Sequence, residues 1–405
     1  MAIINDKALI EEISGTDIQK LIGEKLKEQE LSEFKYFPLC DDIIKQLKSL
    51  IVKTESIEYF QLNEVEALWL NLIDKSIQCL RFFDEREPFQ KNNDSDLKKP
   101  ITYGLDRIKK YLEKYSDFES LLYGSSSYYR DHIFHSLRTW LLGIFCLLRK
   151  TDDKKAYFID CIGLDGLGKN DFSDKINFFE KLSIWTIAAL CHDLGYPLEK
   201  SRKILDKTKN MMGEFVPNPS ILDNFNFGGI QDNINDFIIR FLSTKMVPKK
   251  IEDSTGNGIT YFGRIQPKYY LKYSKSLENF DHGIISAVII YKMLLYFLES
   301  DFNMNDDYEY KSEDARQFYI RREILRPMAS HTCSDIYNIH LNTFSSLLFV
   351  CDELQEWGRK SWNELYTGLQ PSSINLKIEN FSKKKISVTE EVRIPDVNDK
   401  NIVFE

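Results

Sequence analysis

The sequence predicts a mainly α protein, a helical bundle core with an N-terminal helical extension, an internal insertion and a short C-terminal β-hairpin. Three patterns carry that expectation. Apolar residues recur at spacings of three and four through residues 1–95 and again through 101–370, the period of an amphipathic helix. Between about 204 and 280 that period gives way to Asn, Gly and Pro, and over 371–405 it gives way to alternation, the period of a strand.

In the N-terminal region, DDIIKQLKSLIVK and EVEALWLNLIDKSIQCLRFF read as helices that offer no chemistry, and the polar run REPFQKNNDSDLKKP marks a boundary near residue 95. The central region is more apolar. EKLSIWTIAALCHD, HGIISAVIIYKMLLYFLES and LNTFSSLLFVCDELQEWGRK each carry an apolar face wide enough to bury on two sides. The insertion (PNPSILDNFNFGGIQDN, EDSTGNGITYFGRIQPKYY) is too long for a bare loop. It is expected to be partly ordered and to lie over a site as a lid or specificity element. Its aromatic residues Phe225, Phe227, Tyr261, Phe262, Tyr269 and Tyr270 can stack a base or serve as local core. The tail INLKIENFSKKKISVTEEVRI reads as two paired strands. Their edges leave open a homo-oligomer or a protein partner docking through the terminal regions.

With 54 basic and 62 acidic side chains the chain carries a formal charge of −8, which argues against a general nucleic-acid or anionic-membrane coat. Such a partner needs a local patch. An apolar content of 43% excludes wholesale disorder, and 18 Gly with 11 Pro exclude a collagenous class. Seven cysteines without a CxxC pair fit neither a disulfide framework nor a thiolate zinc site and read as reduced, mostly buried thiols. The first residues, MAIINDKALIEEISG, lack the basic start of a signal peptide, and the longest apolar stretch, TWLLGIFCLL, is about half a membrane span. A soluble cytoplasmic protein without membrane association is expected.

All six histidines lie between residues 132 and 340. Imidazole and carboxylate suit zinc, manganese, iron and nickel, so the acids near these histidines matter. The run Cys191-His192-Asp193-Leu194-Gly195-Tyr196-Pro197 sits where Gly195 and Pro197 stop an apolar helix. A charged Asp at such an end is costly unless paired. His132 and His135 are three apart and share a helix face, one able to ligate while the other supports. Asp281 is placed to N-cap the helix that His282 opens, and His331 lies at the end of EILRPMASH. Asp352 is flanked by Phe349, Val350, Cys351 and Leu354 in mid-helix and needs a cation. His340 reads as a solvated helix-start residue.

This order of residues, with HSLR at the first histidine, HDLG after an apolar run and CDELQEW after another, resembles the HD-domain superfamily of metal-dependent phosphohydrolases over roughly residues 125–360. The resemblance implies an HD-type helical bundle across 101–370 and one or two divalent ions (Mn, Mg, Zn, Ni or Fe). Its core ligands would be His135, His192, Asp193 and Asp352, with Asp193 bridging if two ions bind. His282 and His331 would hold the second ion or the substrate phosphate, and Asp193, His282 and His331 would carry the catalysis. The HD-GYP subfamily differs: its GYP triplet lies well beyond the HD pair and beside adjacent histidines, whereas Gly195-Tyr196-Pro197 follows Asp193 directly. Cyclic di-GMP is therefore not implied.

The implied reaction is attack of activated water on a phosphoester or phosphoanhydride, in a small-molecule substrate expected to be a nucleotide. Lys200, Arg202, Lys203 and Arg138 are candidate phosphate contacts, the first three on a turn beyond the HD pair. No glycine-rich stretch matches a P-loop or dinucleotide fingerprint. Two alternatives keep the same ligands: a non-catalytic HD-fold regulatory or interaction module that binds a nucleotide or partner protein, and an oxygenase with a di-iron centre.

Overall fold

The computed structural model describes residues 4–51, 62–84, 104–125, 131–151, 156–164, 176–214, 216, 230–253, 256–298, 302, 308–336, 340–358, 373–381, 385–395 and 401–404. It is mainly helical, with small antiparallel sheets. The chain forms two compact units, one of residues 1–190 with 338–405 and one of residues 191–337. Among the described residues no helix is long and apolar enough to cross a membrane.

The first unit is organised around α6 (His132–Leu147), whose every residue but Phe134 is buried. Such an element must be covered on all sides. Helices α1 (Asp6–Ile13), α4 (Leu62–Phe82), α7 (Phe158–Cys161) and α15 (Phe344–Leu354) pack on it. Asn5 caps α1 by accepting from Ala8 N–H at 2.8 Å, and Asp131 caps α6 by accepting from Phe134 N–H at 3.0 Å. Helix α8 (Phe178–Cys191) reaches the same core through Trp185, whose indole donates to the carbonyl of Trp140 at 3.1 Å. Its last residue opens the second unit.

One buried ion pair joins the start of the chain to this core. The Arg138 guanidinium donates to both oxygens of Asp6 at 3.1–3.2 Å, and Trp357 donates its indole N–H to Asp6 at 3.0 Å. A further Arg138 bond reaches the carbonyl of Gly358 at 3.1 Å. Both charges are about 98% shielded, so each depends on the other.

The tail of this unit holds the expected hairpin, β4 (Ser373–Phe381) paired antiparallel with β5 (Ile386–Pro395), with a bulge between Ile378 and Asn380. A third strand not anticipated, β6 (Asn401–Phe404), adds to β5. Ile4 also bridges to Leu376 at the other side of β4, so the sheet is longer than its period-two signal.

In the second unit the region read as a loose insertion holds regular structure. Helix α9 (Tyr196–Gly213) follows the HD turn, then come α10 (Ile230–Ser243), the ribbon β1 (Thr244–Asp253) and β2 (Gly256–Ile265), and α11 (Pro267–Glu278). Phe225 and Phe227 lie outside the described residues. Pro248 cannot donate to a ladder, and β1 tolerates it because it is the edge strand of the order β1-β2-β3, with β3 at Glu309–Tyr310. Helices α12 (His282–Met293) and α14 (Ser312–His331) form the core of this unit. Tyr319 on α14 seats the ribbon, its hydroxyl accepting from Met246 N–H at 3.0 Å and donating to Met246 O at 3.3 Å.

Removing Asp6 leaves the Arg138 charge in the core. The Asp6→Ala variant is expected to lose about 3–5 kcal/mol of stability, read as a lowered denaturant midpoint with unchanged helical circular dichroism before the transition.

Candidate metal centre

The second unit opens with a tight turn. α8 stops at Cys191, His192–Gly195 turn, and Pro197 starts α9 within its first two positions, where the missing N–H costs nothing. The turn leaves His192 fully buried and Asp193 at 6% exposure. Two helix ends of the same unit face it, His282 at the first position of α12 and His331 at the last of α14.

Three imidazoles surround the one carboxylate. His192 Nε2 is 3.3 Å from Asp193 Oδ2, while His282 Nε2 and His331 Nε2 are 3.2 and 3.7 Å from Oδ1. The Nε2 atoms of His282 and His331 are themselves 3.2 Å apart. Their opposite nitrogens are anchored: His282 Nδ1 donates to Glu199 Oε2 at 2.6 Å and His331 Nδ1 to the carbonyl of Met328 at 2.6 Å. With the ring protons held at Nδ1, two neutral imidazoles would aim lone pairs at each other and at an anionic oxygen. A cation is needed among them, either added protons or a metal ion.

The donor set fits an ion. Nitrogen and oxygen ligands bound at roughly 2.0–2.1 Å in tetrahedral array lie about 3.3 Å apart. The Asp193, His282 and His331 donors span 3.2–3.7 Å and form a group able to hold a metal. Imidazoles with Nδ1 fixed by a carboxylate or carbonyl are the form in which histidine ligates. The coarse expectation of a His/Asp metal-binding cluster therefore stands.

The electrostatics agree. Burial works to raise the Asp193 pKa, yet the charge of His192 and the hydrogen bonds from His192, His282 and His331 hold it well below the usual carboxylate range. Burial works to lower His282, but Asp193 and Glu199 together push it up to about 9. Glu199, despite burial, is held at about 2 by His282 and Lys203.

Glu199 was not legible as a site residue, and it does more than orient a ring. It also accepts from the backbone N–H of His282 at 3.0 Å, doing the capping expected of Asp281. Asp281 does precede α12, but its carboxylate accepts from Ser276 Oγ at 2.6 Å instead. Close approach finishes the arrangement. A Cβ on Gly283 would stand 2.3 Å from Met328 O and 2.9 Å from the His331 ring, and one on Gly195 would stand 2.3 Å from His282 O. Ser286 ties these parts by accepting from Gly195 N–H at 2.8 Å and donating to His282 O at 2.8 Å.

The first unit holds the other two expected ligands, and they meet. His135 Nε2 lies 2.8 Å from Asp352 Oδ1, and its Nδ1 donates to Gln355 Oε1 at 2.5 Å. Gln355 in turn donates to the carbonyl of Trp357 at 2.7 Å, which orients its amide. His135 is buried, and the Asp352 side chain is 22% exposed. His132 is committed elsewhere: its Nδ1 is 3.0 Å from Glu119, which also accepts its backbone N–H at 2.9 Å. His340 is exposed ahead of α15.

The expected phosphate contacts differ in placement. Arg138 is buried on Asp6 within the first unit, because α6 is covered on all sides. Lys200, Arg202 and Lys203 lie on α9, a helix rather than a turn. Lys200 sits 4.7 Å over the Tyr196 ring, Arg202 donates to Glu278 O at 3.1 Å, and Lys203 pairs with Glu199.

Comparison with known protein families, curated proteins and solved structures finds no match.

Because His282 titrates near 9 without metal, an ion must displace its proton at lower pH. Apparent metal affinity is expected to rise from pH 6 to 8, by at most about tenfold per unit for one proton, and to level above about 9. Calorimetric titrations with zinc or manganese at several pH values check this. Glu199→Gln is expected to weaken binding by about 10–100-fold at fixed pH, measured by competition with a chelating dye.

Proposed function

We propose that this chain is a metal-dependent phosphohydrolase of the HD type, hydrolysing a phosphoester or phosphoanhydride in a nucleotide. The observation that supports the reading most is the Asp193 carboxylate divided between His192 on one oxygen and His282 with His331 on the other. The sequence resemblance adds His135 and Asp352 to His192 and Asp193 as the first ligand set. It assigns His282 and His331 to a second ion or to substrate phosphate.

A divalent ion bound by such donors lowers the pKa of water and offsets charge on phosphoryl oxygens. The side chains have their own parts. Glu199 holds the Nδ1 proton of His282, so that Nε2, once it gives up its own proton, would present its electron pair to an ion. The Met328 carbonyl does the same for His331, and Gln355 for His135. Asp193 offers one oxygen to each side, the requirement for a bridging ligand. Lys200 has its ammonium lowered in pKa mainly by burial, with further lowering by Lys203, and is the candidate on α9 for a phosphate oxygen. Arg138 is left out of this role because Asp6 engages it.

The test is elemental analysis of the purified protein together with phosphate release over mono-, tri- and cyclic nucleotides. Wild type is expected to contain a divalent metal and to cleave at least one of these. His192→Ala and Asp193→Ala should lose activity by more than the roughly 10–100-fold cost of a supporting residue, with circular dichroism unchanged. A metal-loaded protein that cleaves none of them sinks the hydrolase reading and favours a binding module. Bound iron with oxygen consumption would point to oxygenase chemistry.

A further inference from the structure

We propose that the metal centre takes an oligophosphate, a chain of linked phosphoryl groups such as a nucleoside triphosphate carries, and that this chain lies along a row of lysines on α9. The proposal rests on the phosphohydrolase reading for what is done to the chain, while the row itself can be tested by binding alone. Helix α9 begins directly after the turn that carries Asp193. The Tyr196 ring stands edge-on to His282 with centroids 5.5 Å apart, and Lys200 Nζ lies 4.7 Å over the Tyr196 ring. Lys203 reaches the same histidine by another route: it pairs with Glu199 Oε1, while Glu199 Oε2 accepts from His282 Nδ1 at 2.6 Å. Each of these ammonium groups is thus one residue removed from His282, and both belong to the unit that holds Asp193, His282 and His331.

Helical geometry extends the row. At about 100° per residue Lys200, Lys203 and Lys207 fall within about 60° of arc and run for about 10 Å along the axis of α9. A single phosphate, with hydrogen bonds of about 2.7–2.9 Å, is too small to serve that length, whereas a linked chain can. The simpler account is a solvated helix face, and it covers Lys203 and Lys207, which are exposed. It does not cover Lys200. That side chain is half-buried and turned back over Tyr196 instead of extending into solvent. Burial lowers the pKa of its ammonium, Lys203 lowers it further and so does Lys207, with Glu199 opposing them. Like charges at spacings of three and four destabilise a helix, and the Glu199 carboxylate beside them is already shared between Lys203 and His282. Phosphoryl oxygens along the row offset that repulsion. Arg202 takes no part, because it donates to Glu278 O at 3.1 Å and covers the Phe280 ring on the other side of α9.

The experiment is calorimetric titration of the full chain, freed of metal by chelation, with inorganic tripolyphosphate and with orthophosphate, so that its outcome is independent of hydrolysis. Tripolyphosphate is expected to bind at least about tenfold more tightly than orthophosphate. Lys200→Gln and Lys207→Gln should each weaken it about tenfold, the loss of one hydrogen bond to a charged group, with circular dichroism unchanged. Lys200→Arg keeps the charge and should retain binding, which a purely structural role for this side chain over Tyr196 would not require. Lys209→Gln, on the opposite side of α9, is the control and should change little. Tighter binding of a nucleoside triphosphate than of tripolyphosphate identifies the chain as nucleotide-borne, and equal binding identifies a free oligophosphate. Tripolyphosphate binding that is absent, or no tighter than that of orthophosphate, overturns the proposal even where nucleotides are cleaved and the hydrolase reading stands. An equal loss in Lys209→Gln overturns it as well.

Discussion

The candidate metal centre rests on a constraint at Asp193. A carboxylate at 6% exposure, ringed by imidazole nitrogens whose partners fix the ring protons on the far side, can exist only with positive charge among those nitrogens. Protons meet that need in the free chain, and a metal ion held by the same atoms would meet it equally. The first unit repeats the pattern with different chemistry: Gln355 takes the place of Glu199, and His135 turns its Nε2 to Asp352. Supporting an imidazole through Nδ1 restricts it to one tautomer and one rotation, the form in which it can ligate an ion.

Such preparation depends on backbones coming closer than side chains normally allow. The end of α14, the start of α12 and the turn after α8 meet in the second unit through Gly195 and Gly283, where a methyl group would collide with a carbonyl oxygen. Ser286 uses the space by serving one backbone group on the turn and another on its own helix. The glycines are thus part of the site although neither carries a functional group. Glu199 links the same parts electrostatically, as it caps α12 and holds the ring of its first residue.

Much of the helical content was legible because amphipathic periodicity is a local property of the chain. The ligand candidates were legible for a related reason: His192-Asp193 stands at the end of an apolar run, and His282 and His331 stand at helix ends. The supporting residues were not. Glu199 and His282 are separated by 83 positions, and Glu199 sits in a charged stretch indistinguishable from any solvated helix face. Arg138 looked like a phosphate contact because burial of α6 on every side depends on its neighbours in space, including Asp6 at the chain's start. The ribbon was read as loose because Pro248 and the Ser-Thr-Gly-Asn-Gly run masked its alternation, and an edge position is what makes that proline compatible with pairing.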